Sequence, residues 1–131
     1  MTLPVSQFLL LGFAAACGAW LRYFTGLFMH ALFPSLPLGT LVVNLFGGLL
    51  MGISIAYFDS ITHASTETRL IINVGLLGGL TTYSAYTADI FNFIEKGALL
   101  HALIFVSAHI LGALILCYIG FYLTNLLLRS F

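Results

Sequence analysis

The stretch GLLGGLTTYSAYT, residues 75–87, decides how this chain folds. It sits inside a long apolar run, yet it places Gly78 and Gly79 just ahead of Thr81 and Thr82, followed by Tyr83, Ser84 and Tyr86. Paired glycines and paired threonines make a poor helix interior, because glycine loses the most backbone entropy and threonine is stiff at χ1. In hydrocarbon a helix can break only where the freed amides and carbonyls face protein, water or an ion. Discontinuous helices whose broken ends meet ions recur in transport proteins. Close packing through Gly75 and Gly79, a small-xxx-small pattern, accounts for the glycines. It gives no reason for the hydroxyls and tyrosines, so a break is expected near residues 78–82.

Outward from this stretch the chain reads as four apolar spans, at about 5–30, 38–58, 68–93 and 98–128. Pro34 and Pro37 close the first, and the polar residues Asp59, Ser60, Thr62, His63 and Ser65 separate the second from the third. Asn92, Glu95, Lys96 and Gly97 mark the exit of the third, and the fourth is longer than the hydrocarbon core requires. At about 20 apolar residues per span, the 131 residues hold one four-helix transmembrane domain and no extramembrane catalytic unit. Composition agrees: 61% of residues are hydrophobic and 6% charged, against roughly a quarter charged in soluble domains. A water-soluble enzyme is excluded, and four basic residues form no patch for a nucleic acid backbone. No basic segment precedes the apolar run from Phe8 to Ala16, so that run is expected to remain as a helix and not to act as a signal peptide. Cys17 and Cys117 both lie in apolar runs and read as small packing residues.

Four spans put both termini on one side of the membrane, together with Arg69 and Arg129, and leave Arg22 and Lys96 on the other. Orientation follows the bias of Lys and Arg between the two faces, and two against two is no bias. Such a chain is expected to insert in both orientations and to pair as an antiparallel homodimer. Small-residue surfaces for that pairing are expected at Gly48 and Gly52, Gly75 and Gly79, and Gly112 and Gly120.

Polar groups at membrane depth are functional candidates. Arg22 shares a helix face with Gly18 and Gly26, where it can anchor at the interface or reach a neighbouring helix or a vestibule. Thr40, Asn44, Gly48 and Gly52 recur every fourth residue and give the second span one polar, small-residue stripe. Tyr83, Tyr86 and Asp89 are spaced to share a ridge on the third span, with Ser84 facing elsewhere. His109 is the one deep histidine, read as a satisfied packing residue. No Ser/His/Asp arrangement, catalytic carboxylate pair or metal-ligand cluster is present, so the chain is not an enzyme. Hydroxyls, an amide and aromatic ring edges with few fixed charges suit a small anion, whereas cation selectivity needs carboxylate rings or converging carbonyls.

The segment Gly39-Thr-Leu-Val-Val-Asn44 with Gly47 and Gly48, taken with Gly78-Gly-Leu-Thr-Thr-Tyr-Ser-Ala-Tyr86, resembles the two signature segments of the CrcB/Fluc fluoride ion channels. The likeness extends over the whole chain, including Arg22 and Tyr23 at the end of the first span. It implies a dual-topology antiparallel homodimer in the bacterial inner membrane, with two fluoride pores that export the ion passively and confer fluoride resistance. By resemblance, Asn44 contacts fluoride, Tyr83 and Tyr86 supply ring edges, and Ser84, Thr82 and Thr40 supply hydroxyls. Arg22 and Asp89 belong to the vestibule, and the backbone carbonyls of Gly78 and Thr81 hold a structural sodium ion on the dimer axis. The family usually carries phenylalanine where this chain has Tyr83 and Tyr86, so two hydroxyls are added beside the path. Two other readings compete. A proton-coupled small multidrug transporter needs a carboxylate deep in the first span, which has none. A non-transporting membrane assembly subunit explains the glycines but not Asn44 and the hydroxyls.

Overall fold

The computed structural model describes residues 4–61 and 65–130; Thr62 and His63 of the polar loop lie outside the described residues. Those residues form helices and connecting turns, with no strand among them. Helix α1 is Val5–Leu32 and α2 is Leu38–Ser60. The third run is composite: α3 (Thr66–Arg69), a π-helical segment Leu70–Leu77, α4 (Gly78–Leu80), a non-helical stretch at 81–83, and α5 (Ser84–Glu95). Helix α6 closes the chain at Leu99–Arg129. Three of these, α1, α2 and α6, are long and apolar enough to cross a membrane.

The boundaries follow local chemistry. Helix α1 stops ahead of Pro34, and Leu36 N–H turns back to the Phe33 carbonyl at 3.2 Å. The C-terminal end of α2 is capped by Arg69, whose guanidinium donates to the Phe58 carbonyl at 2.5 Å and pairs with Asp59 at 3.0 Å. Ser65 caps α3 by accepting from Thr68 N–H. Helix α5 ends in a left-handed Gly97 (φ 71°), with Ala98 N–H bonded to the Phe93 carbonyl at 2.8 Å. That is the glycine-terminated closure which satisfies the last carbonyls of a helix.

Helices pack where their backbones can approach. A side chain on Gly18 would strike the backbone of Leu76 and Leu80, and one on Gly79 that of Ala15, so α1 lies directly on the third run. A β-carbon on Gly48 would come within 2.7 Å of the Ala113 carbonyl, and side chains on Gly52 and Gly120 would collide with Cys117 and Leu49. These contacts seat α2 on α6. The glycines expected to pair one copy with another are therefore used inside a single chain: Gly75 meets Leu11 and Ala14, and Gly112 meets Leu45. The reason is physical. Without a hydrophobic drive between helices in lipid, association depends on close backbone contact, and the chain's own neighbours take it first. Val43, Leu77 and Leu80 form the buried centre, with Leu50, Met51 and Ile72 against it. The flanks of α1 and α6 expose large apolar residues such as Phe13, Trp20, Leu103 and Leu114, as a lipid-facing surface requires.

Candidate functional site

The break falls at 81–83, the far end of the expected stretch, because Gly78 and Gly79 are still helical and Thr81 turns extended (φ −80°, ψ 157°). A continuous helix would carry the Thr82 N–H to the Gly78 carbonyl. Instead it donates to Asn44 Oδ1 at 2.8 Å, while Asn44 Nδ2 donates to the Thr82 carbonyl at 2.9 Å. One side-chain amide thus replaces the lost backbone partners on both sides of a peptide unit, as a primary amide with donor and acceptor can. Thr82 is buried, and its Oγ1 accepts from Ala85 N–H at 3.2 Å, opening α5. Thr82 Oγ1 and Ser84 Oγ lie 3.4 Å apart.

Arg22 reaches across from α1: its Nη1 donates to the Thr81 carbonyl at 2.9 Å. An arginine at membrane depth costs roughly 2.5–3.5 kcal/mol on insertion scales. A charge-assisted bond to a carbonyl freed by the break offsets part of that, and neither group is left unpaired.

Tyr83 stands ahead of α5 and is 80% exposed, whereas Tyr86, in the first turn, is only 9% exposed. The expected ridge therefore starts at Tyr86, since Tyr83 belongs to the break and shares its exposure with Ser84. The two rings remain neighbours, with centroids 5.5 Å apart. One turn further along α5, Asp89 Oδ2 accepts from Thr40 Oγ1 at 2.7 Å, and the same hydroxyl approaches the Pro37 carbonyl at 2.9 Å. A hydroxyl has one proton, so these two acceptors share it.

Two grooves follow this polar seam. The first, about 360 Å³, is lined by Asn44, Gly47, Gly48, Met51, Thr81, Thr82, Tyr83, Tyr86, His109, Ile110 and Ala113. The second, about 210 Å³, is lined by His30, Pro34, Ser35, Leu36, Pro37, Asp89, Asn92, Phe93 and Lys96. Asn44 and Thr40 are one turn apart on α2, as Tyr86 and Asp89 nearly are on α5. The Thr40 and Asp89 pair therefore stands between the two grooves.

Sequence reasoning passed over two polar groups. His109 is not fully satisfied: Nδ1 bonds the Phe105 carbonyl at 2.9 Å, but Nε2 is buried with no hydrogen-bond partner among the described residues. Asn73, in the π segment, accepts from the buried Ser54 Oγ at 2.5 Å. A lone histidine or asparagine in an apolar run carries no spacing signal, and a π turn, which puts i and i+5 in register, has no composition of its own. Among the described residues no group of three His, Cys, Asp or Glu could hold a metal ion. The carbonyl oxygens at the break are a different donor set: that of Gly78 has lost its Thr82 N–H, and that of Thr81 keeps a second lone pair beside Arg22. These two carbonyls fit a monovalent cation, with further ligands supplied from outside this chain.

A family model described as "CrcB-like protein, Camphor Resistance (CrcB)" matches residues 9–121, which include the break, Asn44 and Arg22. The chain belongs to the CrcB-like family. Among curated relatives, a protein of Thiobacillus denitrificans is 40% identical over 118 residues, covering 90% of this chain and 95% of the relative. One from Pseudomonas putida is 40% identical over 116 residues, covering 88% and 91%. One from Tolumonas auensis is 38% identical over 122 residues, covering 93% and 96%. All three are named fluoride-specific ion channel FluC. With three helices able to cross a bilayer, this CrcB-like chain is a multi-pass membrane protein.

Proposed function

We propose that this chain is a fluoride-selective channel of the bacterial inner membrane, passing fluoride out of the cytoplasm down its gradient. The observation that carries the reading is the helix break at 81–83, held open by Asn44 and edged by neutral donors. Fluoride is small and strongly hydrated, so a path for it must replace water's hydrogen bonds without binding so tightly that the ion cannot leave. Asn44 has two amide protons and spends one on the Thr82 carbonyl, which leaves the other for an anion. Helix α5 starts at Ser84 beside the same groove, and its N-terminal dipole favours negative charge. Ring edges of Tyr83 and Tyr86 carry positive quadrupole density. Their hydroxyls, with those of Ser84, Thr82 and Thr40, offer further donors along the seam. Arg22 and Asp89 would set the field at the vestibules. The relatives' names support this assignment. A channel performs no covalent chemistry, in keeping with the neutral character of the groove.

The four-span reading counts the broken third run as one crossing, giving a single transmembrane domain. Tyr83, Ser84 and Gly78 are exposed at the break, where bare lipid would leave polar groups unsatisfied. A second copy covering this face resolves that, and the even distribution of basic residues supports an antiparallel homodimer with two pores. The carbonyls of Gly78 and Thr81 from both copies would hold a structural sodium ion, which when bound supplies a fixed positive charge between them. The test is growth of a fluoride-sensitive bacterium lacking its own fluoride export. Expression of the chain is expected to restore growth in fluoride, and the Asn44→Asp variant is expected not to. Equal growth with and without the chain would count against the reading.

A further inference from the structure

His109 is 5% exposed and lies with its ring 4.6 Å from that of Tyr86, centroid to centroid. It lines the groove that also holds Asn44 and Thr82. Its Nδ1 meets the Phe105 carbonyl at 2.9 Å, and a carbonyl can only accept, so Nδ1 carries a proton. In the neutral ring Nε2 is then a bare lone pair. That atom is buried and has no partner among the described residues, although most buried polar side-chain atoms in proteins are hydrogen-bonded. A phenylalanine would pack as well against Tyr86 and Phe105, so packing alone gives no reason for the nitrogen.

We propose that His109 is a pathway residue and that Nε2 makes fluoride passage depend on pH. The inference rests on the channel reading. With the ring neutral, a lone pair faces the groove and repels an anion. With the ring protonated, the same atom becomes an N–H donor on a positive charge, at the depth where Asn44 also offers a donor. The proton stays on the ring and is not carried across, so passage remains passive. The titratable and charged groups facing His109 come chiefly from one side. Helix α5 presents Tyr86 and Asp89, and Tyr83 stands ahead of it. Helix α2 presents Asn44 in this groove and no titratable group, while on α6 itself His101 is two turns away, stacked on Phe93.

The experiment measures fluoride efflux from liposomes at matched internal and external pH between 5.5 and 7.5, the range in which imidazole titrates. Protein-free vesicles are subtracted at each pH, because hydrogen fluoride crosses lipid unaided. Wild-type efflux is expected to rise about threefold or more as pH falls through this range. His109→Gln, a permanent amide donor, is expected to conduct with a flat profile, and His109→Phe to conduct more slowly, also flat. Wild-type efflux that is substantial but independent of pH overturns the proposal and leaves the channel reading intact. So does a pH response that persists in His109→Phe. No efflux at any pH removes the channel reading and this inference with it. The wild-type profile needs no substitution, so a variant that fails to fold does not spare the proposal.

Discussion

Helix α2 serves two regions built in contrasting ways. Toward α6 it offers Gly48 and Gly52, and the two backbones close on each other without a single side-chain hydrogen bond between them. Toward the third run it offers Thr40 and Asn44, and there the chain opens, with the side chains taking over the bonding that the backbone gives up. The first region shows how a membrane protein coheres when lipid is as apolar as its own side chains: by close approach. The second shows how it admits polar backbone to the bilayer: by satisfying it from a neighbouring helix. Stability belongs mainly to the seam and ion passage to the break, and substitutions should separate the two.

The largest expected effect is at the break. Asn44→Asp removes the donor to the Thr82 carbonyl and sets a carboxylate beside the anion's path. Two like charges about 4 Å apart at an effective dielectric near 20 repel by about 4 kcal/mol, so fluoride efflux should fall about a hundredfold or more. Unchanged efflux would take Asn44 out of the path. Next comes the seam: Gly52→Leu forces a side chain into the Cys117 carbonyl, and overpacking of this kind costs about 1–3 kcal/mol. A clearly lower melting temperature in detergent is expected, with near-normal efflux per folded protein. Lost efflux at an unchanged melting temperature would blur the division between the two regions.

Arg22→Gln tests whether the break is held from α1 as well as from α2. A hydrogen bond to a charged group contributes about 1.5–3 kcal/mol, and glutamine recovers part of it through its own amide. Both melting temperature and efflux should drop moderately, efflux by about tenfold or less. The smallest effect is expected of Thr40→Val, which removes the bond to Asp89. Interhelical bonds in membranes average about 0.6 kcal/mol, so efflux should change by no more than about threefold with stability nearly untouched. A total loss of transport in this variant would promote the pair from a link between grooves to an essential ion contact.

How much of this was legible in the sequence differs between the same two regions. The spans were readable because apolar length and Pro34, Pro37 and Gly97 act locally, and the break because Gly78, Gly79, Thr81 and Thr82 conflict with a helix within a few residues. The glycines were correctly seen as contact points, but periodicity cannot say which surface they meet, and they meet this chain's own helices. The bidentate clamp of Asn44 on Thr82 joins residues 38 positions apart, and no pattern along one helix encodes such a pairing. The same holds for Arg22 on Thr81. His109 escaped because a half-satisfied ring and a satisfied one look alike until the carbonyl of Phe105 and the partnerless Nε2 are both in view.

The central claim is that a polar break in the bilayer passes fluoride in preference to other anions, and it is tested most directly with purified protein in liposomes loaded with fluoride and chloride together. Electrodes for the two ions follow release from the same vesicles. The account predicts fluoride release well above protein-free vesicles while chloride is retained. Release of both ions at similar rates, or of neither, would contradict it.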